Sequence, residues 1–377
     1  MEANRFCDFL DSIGVTFFTG VPDSILQSFC QCLLDNEDRA DHHLAAANEG
    51  NAVGAAAGFH LATGDIPCIY MQNSGLGNAY NPLSSLLHTG VYAIPAILVI
   101  GWRGEPGLLD EPQHMVQGRV TLPTLDLLGI EHFVLSSDTL PEELPGLQDK
   151  ITDVFRRGGQ FAFVVRKGAL SHTKSAPKPQ LYSIVRESAI DQITRAADGD
   201  IIVGTTGKTS RELFEVREQH GEIHSSDFLT VGSMGHASGI ALGLAMHSSR
   251  RIWCLDGDGA ALMHLGAMAT IGHVKPDNLI HVIFNNQAHE SVGGMPTTSP
   301  AARFALMAQS CGYPSTRTVS TMEELDRVLS DLPGLMLPAL IEVHTAVGSR
   351  EDLGRPSIGP VENKTAFMDR WSNNRKR

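Results

Sequence analysis

Short apolar runs alternate with amphipathic stretches along nearly the whole chain. Runs at Thr16–Thr19, His43–Ala46, Cys68–Gln72, Ala96–Ile100, His132–Leu135 and Phe161–Val165 have strand length, and segments with helical spacing separate them. The rhythm stops at residues 166–179 (RKGALSHTKSAPKP), a polar, proline-containing stretch that reads as a linker. It resumes with a helix over Leu181–Ala196. Strands at Ile201–Gly204, Leu229–Val231, Arg251–Leu255, Leu279–Phe284, Thr316–Val319 and Ala339–His344 follow. Between them the spacing predicts helices over Ser210–His220, His236–His247, from Gly259 to about His273, from about Pro300, and over Thr321–Leu332. Such alternation predicts an α/β fold whose sheets are mainly parallel, with helices on both faces. Two such domains are expected, 1–168 and 181–347, joined by a linker over 169–180 and followed by a tail over 348–377. The tail shows little periodicity, and its last half-dozen residues read as a frayed terminus. Its earlier part follows a strand whose carboxyl end should face a site, which sets Arg350 and Arg355 within reach of a bound anion.

With 377 residues, 42% of them hydrophobic and 19% charged, the composition is that of a globular protein with room for two cores. A formal charge of −13 argues against nucleic acid or an anionic membrane as partner, so an anionic ligand must be held by local donors. No apolar run approaches the roughly 18–20 residues of a membrane span, and the N-terminus has no basic-then-apolar leader pattern. A cytoplasmic protein acting on a small molecule is expected. The six cysteines include no CxxC pair and carry no assigned chemistry.

The stretch with most chemistry is Leu255–Asn286, LDGDGAALMHLGAMATIGHVKPDNLIHVIFNN. It sets the carboxylate of Asp258 and the amides of Asn285 and Asn286 at the carboxyl edge of a parallel sheet. Hard cations such as Mg²⁺ take oxygen ligands of this kind and commonly share them with a phosphate. Gly257 and Gly259 let the backbone come close, and a diphosphate on the helix that follows, from Ala260 onward, would meet unpaired N–H groups. A second stretch, Ala47-Asn48-Glu49-Gly50-Asn51, puts a carboxylate in the first turn of a helix rich in small residues, where the dipole alone would favour it. The run Gly204–Ser210 (GTTGKTS) fails as a phosphate-binding P-loop, because the position five before Gly207 is Ile202.

The GDG…NN motif, at a separation of 286 − 258 = 28 residues, resembles that of the thiamine-diphosphate-dependent 2-keto acid decarboxylase family. The resemblance covers nearly the whole chain, because Glu49 matches the family's glutamate on the cofactor's aminopyrimidine ring. It implies thiamine diphosphate and Mg²⁺ as cofactors, with Asp258, Asn286 and the carbonyl of Ala288 as metal ligands. It also implies Met234 in Gly232–Gly235 as the apolar support of the bent cofactor, with Ser233 and Thr206 beside it. No room is left for the central third domain of many relatives. Loops at Thr19–Asp23, Asn73–Asn78, Gly101–Arg119, Asn285–Gly294 and Arg350–Pro356 are most similar to those of the phosphonopyruvate decarboxylase branch, with the sulfopyruvate decarboxylases as near relatives. That branch implies carboxy-lyase chemistry in phosphonate biosynthesis, and a homo-oligomer with active sites between subunits. Asp23, His114 and His289 are candidates for proton transfer beside Glu49, histidine being suited to work near neutral pH. Arg103, Arg350 and Arg355 are candidates for the substrate anion, since a guanidinium matches its oxygens bidentately. The glutamate that pyruvate decarboxylases place beyond the second Asn is missing at Val292, which leaves the protonating group open. An acetolactate-type carboligase and a non-catalytic cofactor-binding protein are the alternatives.

Overall fold

The computed structural model describes residues 1–172 and 180–371. Two compact units emerge, Met1–Pro177 and Lys178–Arg377. In the first, β1 (Val15–Gly20), β2 (His43–Ala45), β3 (Ile66–Gln72), β4 (Ala96–Gly101), β5 (Glu131–Leu135) and β6 (Gln160–Val165) form one parallel sheet in the order β2-β1-β3-β4-β6-β5. The central β4 and β6 are buried at every residue, which is why they read as unbroken apolar runs. Side chains alternate across the sheet as the pleat demands. Ile69, Met71, Leu98, Ile100 and Val164 pack beneath helices Glu49–Thr63, Leu76–Pro82 and Pro112–Leu127. On the opposite face, Phe163 meets Phe6 edge-on with ring centroids 5.2 Å apart.

The second unit holds β7 (Ile201–Gly204), β8 (Asp227–Leu229), β9 (Ile252–Gly257), β10 (Leu279–Asn285), the two-residue strands β11 (Ala288–His289) and β12 (Met295–Pro296), β13 (Ser315–Val319) and β14 (Ala339–His344). Its parallel sheet runs β13-β14-β10-β9-β7-β8. Setting aside the β11–β12 hairpin and counting strands within each unit, this is the first unit's order read from the other edge. The two halves thus share one topology without visible sequence similarity. Trp253, Leu255, Ile280 and Val282 pack under helices Arg186–Ala196 and Lys208–His220, while Cys254 and Ile283 face helix Ala237–His247.

The α/β architecture and its twelve sheet strands match the periodicity, with four corrections. The helix expected from Leu181 starts at Arg186, because the preceding segment runs extended and Ile184 bridges to Thr345. The helix after Gly259 is interrupted at His264 (φ −130°) and becomes Asp258–Met263 and Gly266–Val274. The strand placed at Leu229–Val231 lies at Asp227–Leu229. The tail carries a helix, Pro360–Trp371, fixed by Asn363, whose Oδ1 accepts from Leu229 N at 3.1 Å and whose Nδ2 donates to Asp227 O at 2.9 Å. Residues 372–377, expected to fray, and 173–179 of the linker lie outside the described residues. Among the described residues no helix is long and apolar enough to cross a membrane.

Candidate active site

In the first unit the chemistry gathers beyond the carboxyl ends of β1, β3 and β4, where open parallel sheets bind ligands. Asp23 follows β1 and is fully buried. Its Oδ1 accepts from Gln72 Nε2 at 2.6 Å and its Oδ2 from Ile25 N at 2.9 Å. Only glycine fits at the end of β4, since a Cβ on Gly101 would lie 2.1 Å from Asp23 Oδ2. Burial raises the pKa of Asp23, and the hydrogen bonds from Gln72 and Ile25, with the charge of Arg103, oppose the rise without cancelling it. Arg103, two residues past β4, is gripped bidentately by Asp110, Nε to Oδ2 at 2.8 Å and Nη2 to Oδ1 at 2.5 Å, and its Nη1 donates to Ser24 Oγ at 3.1 Å. That pairing draws Asp110 down to about 2. His114 is pushed down to about 4 by burial and by the charge of Arg103, so it is neutral at pH 7, and its buried Nδ1 finds no partner among the described residues.

Glu49 opens helix Glu49–Thr63, whose cap is Asn48: its Oδ1 accepts from Gly50 N at 2.7 Å. The Glu49 side chain is buried, and its Oε2 accepts from Asn78 Nδ2 at 2.7 Å. A Cβ on Gly75 would lie 2.6 Å from its Oε1. Burial raises the Glu49 pKa, with the Asn78 amide holding it back in part. The carboxyl therefore retains a proton to higher pH than an exposed glutamate does.

In the second unit Asp258 opens the short helix after β9 and is buried. Its Oδ2 accepts from Thr297 Oγ1 at 2.6 Å, and burial raises its pKa. Among the described residues no cationic side chain pairs with it. A buried carboxylate met only by neutral donors is the kind of group whose charge a hard divalent cation offsets. Asn285 is committed elsewhere, its Nδ2 donating to Glu342 Oε1 at 2.9 Å and its Oδ1 accepting from Ser299 Oγ at 3.1 Å. Asn286 Oδ1 accepts from Ala288 N at 3.0 Å and its Nδ2 donates to Glu290 Oε2 at 2.9 Å. Between them Gln287 takes φ +61°, and its Nε2 donates to Tyr182 Oη at 3.1 Å. His289, on β11, lies against Gly259, where a Cβ would come within 2.8 Å of its ring. Burial brings His289 down to about 4.

The Ser233–Gly235 turn packs on the Asp258 helix: Ser233 has φ +54°, and a Cβ on Gly235 would stand 2.9 Å from Ala260 O. Met234 between them is half-buried. Thr206 Oγ1 donates to Val231 O at 2.9 Å, joining the turns after β7 and β8. The structure thus brings Asp258, Gly259, Ala260, His289, Ser233 and Gly235 into one neighbourhood of the second unit, and Asp23 and Arg103 into one of the first. Arg350 departs from the expectation. Its fork is filled by Glu187 at 3.0 Å, Glu215 at 2.6 Å and Asp352 at 3.0 Å, three carboxylates in place of a substrate anion. Arg355 is exposed, on a segment tied down by Arg211 Nε, which donates to Gly354 O at 2.6 Å. Sequence reasoning missed Gln72, Thr297 and the buried pairing of Arg186 with Glu212 and Glu290; Asn78 and Glu290 stood in named loops without a role of their own. Val292 has no carboxylate, and the nearby Glu290 is committed to Arg186 and Asn286.

Residues 3–125 match the N-terminal TPP binding domain of thiamine pyrophosphate enzymes, and residues 203–343 match the C-terminal TPP binding domain. The chain is 35% identical to a phosphonopyruvate decarboxylase of Streptomyces viridochromogenes, over 94% of this chain and 90% of the relative. It is 36% identical to a phosphonopyruvate decarboxylase of Streptomyces hygroscopicus, over 96% of this chain and 91% of the relative. A sulfopyruvate decarboxylase of Methanosarcina acetivorans is 30% identical, over 73% of this chain and 74% of its own length.

Proposed function

The chain belongs to the thiamine pyrophosphate enzymes, and from that premise we propose that it decarboxylates 3-phosphonopyruvate to phosphonoacetaldehyde and CO₂ with thiamine diphosphate and Mg²⁺. The observation that carries the substrate is the similarity to phosphonopyruvate decarboxylases at 35–36% over at least 94% of the chain, against 30% over 73% for the sulfopyruvate enzyme. In this reading Asp258, Asn286 Oδ1 and the Ala288 carbonyl hold Mg²⁺. The backbone at Gly257, Gly259 and Ala260, with Thr206 and Ser233, would receive the diphosphate, and Met234 would be the apolar side chain that supports the cofactor.

Thiamine diphosphate, when bound, supplies the electron sink that makes loss of CO₂ from a 2-keto acid easy. The protein's share is orientation and proton handling. Glu49, its pKa raised by burial, would share a proton with the pyrimidine ring more readily than an exposed glutamate would. Arg103 grips the phosphonate with the N–H groups that Asp110 and Ser24 leave over, three of its five donors being engaged by them. As the bond to the carboxylate carbon breaks, CO₂ leaves and the carbon left behind takes a proton. Asp23, His114 and His289 are the groups offered for that step. Burial raises the pKa of Asp23 and so favours its carrying the proton, whereas the two histidines, lowered to about 4, are neutral at pH 7 and would have to take up a proton before giving one.

We also read the assembly as a homo-oligomer in which the first unit of one subunit completes the second unit of another. Gly54, Gly58, Gly239 and Gly243, on the two small-residue helices, have no atom within 4 Å of where a Cβ would stand. Helix faces that open suit close approach by a second copy. The direct test is a CO₂-release assay with phosphonopyruvate, sulfopyruvate and pyruvate side by side, and we expect phosphonopyruvate to give the highest kcat/KM. Preference for sulfopyruvate would overturn the substrate, and consumption of a second keto acid would make the enzyme a carboligase. CO₂ from none of the three would overturn the reaction.

A further inference from the structure

The reading above makes Asn286 a metal ligand through its side-chain oxygen, and the inference here rests on it. A carboxamide presents an oxygen on one side and an NH₂ on the other, and half a turn exchanges them. Only one orientation offers a cation an acceptor. In this chain Nδ2 of Asn286 donates to Glu290 Oε2 at 2.9 Å, while Oδ1 accepts from Ala288 N at 3.0 Å. Reversal would set oxygen against carboxylate and NH₂ against N–H.

Glu290 is itself held in place. Arg186 donates from Nη1 to Glu290 Oε2 at 2.7 Å and from Nη2 to Oε1 at 3.2 Å. Arg186 is buried at the first residue of helix Arg186–Ala196, the end where the helix dipole disfavours a cation. It needs a counter-ion there, and Glu212 already serves, paired bidentately at 2.6 and 2.8 Å. One carboxylate balances the guanidinium; the Lys208 ammonium also feels the charge of Glu290, but among the described residues no ion pair joins the two, so charge balance does not fix where the Glu290 carboxylate sits. What Glu290 adds is the bond to Asn286. We propose that Glu290, held by Arg186, is a positioning residue that locks the Asn286 amide with its oxygen presented to a divalent cation.

The probe is Mn²⁺ titrated into the full-length protein with thiamine diphosphate present, with free Mn²⁺ followed by electron paramagnetic resonance and folding checked by circular dichroism. Outer partners of this kind typically carry about 10–100-fold of metal affinity, and Glu290→Ala should weaken Mn²⁺ binding by that factor. Its activation constant for Mg²⁺ should rise while kcat at saturating Mg²⁺ recovers. Arg186 keeps Glu212 in this variant, so the buried charge stays paired. Glu290→Gln should remain within a few fold of wild type, because its one side-chain oxygen can accept from both Asn286 Nδ2 and Arg186 Nη1. A Gln variant as weak as the Ala variant would overturn the proposal, showing charge and not orientation to be at work. Asn286→Ala separates the layers: if it weakens Mn²⁺ binding while Glu290→Ala does not, the clamp fails and the metal assignment survives. If Asn286→Ala binds Mn²⁺ like wild type, the metal assignment itself fails.

Discussion

Glu49 in the first unit and Asp258 in the second are alike at first sight. Each opens a helix beyond a strand of the same six-strand topology, each is buried without a cationic partner among the described residues, and burial raises the pKa of each. Their neighbours differ. Glu49 is met by the NH₂ of Asn78, a donor that orients the carboxyl and leaves it able to carry a proton. Asp258 accepts from the Thr297 hydroxyl, and the oxygens of Asn286 and Ala288 complete the set proposed to hold Mg²⁺ with it. A cation brought to that set would reverse the effect of burial and hold Asp258 ionised. On the proposed reading the same desolvation would serve two ends, proton storage in one half and cation holding in the other, with the neighbouring group deciding which.

The largest effect should come from Glu49→Gln, which keeps size and hydrogen bonding but removes the titrating proton. General acid–base groups contribute about 10²–10⁴-fold, and kcat measured by CO₂ release should drop by such a factor. A drop below tenfold would make Glu49 an ordinary helix-start carboxylate. Next is Arg103→Ala. A hydrogen bond to a charged group is worth about 1.5–3 kcal/mol, so kcat/KM for phosphonopyruvate should fall roughly ten- to hundredfold with any residual pyruvate rate unchanged. Arg350→Ala, with its fork filled by Glu187 and Glu215, should leave that substrate ratio near wild type. A loss of preference in Arg350→Ala and none in Arg103→Ala would move the anion pocket to the tail.

The smallest effect concerns pH. His114 has its pKa lowered to about 4 in the fold, so as pH falls below about 6.5 the unfolded chain takes up the proton first. Its contribution to stability is complete above pH 6.5 and is lost as pH falls towards 4. Discounted for partial exposure, it amounts to on the order of 1 kcal/mol between pH 7 and pH 5. Urea unfolding at the two pH values should show a shallower loss for His114→Gln than for wild type. Equal slopes would place His114 in water.

The strands were legible because burial on both faces makes β4 and β6 near-continuous apolar runs and β10 an apolar run broken only by the buried His281, and the glycine-flanked Asp258 and the paired amides stood out at strand ends. The group around Arg186 was not legible, since Arg186 and Glu290 lie 104 residues apart and a helix-start arginine carries no local signal of a carboxylate partner. The tail helix was missed because few of its residues are buried, chiefly Asn363 and Phe367, too few for a period to show. The β11–β12 hairpin pairs only two residues on each side and read as a loop.

The division of labour between the halves is tested most directly by calorimetric titration of thiamine diphosphate with Mg²⁺ into Glu49→Gln and Asp258→Ala, both first shown to be folded. The account predicts that Glu49→Gln binds within a few fold of wild type and that Asp258→Ala gives no binding heat. Wild-type affinity in Asp258→Ala, or loss of binding in Glu49→Gln alone, would contradict it.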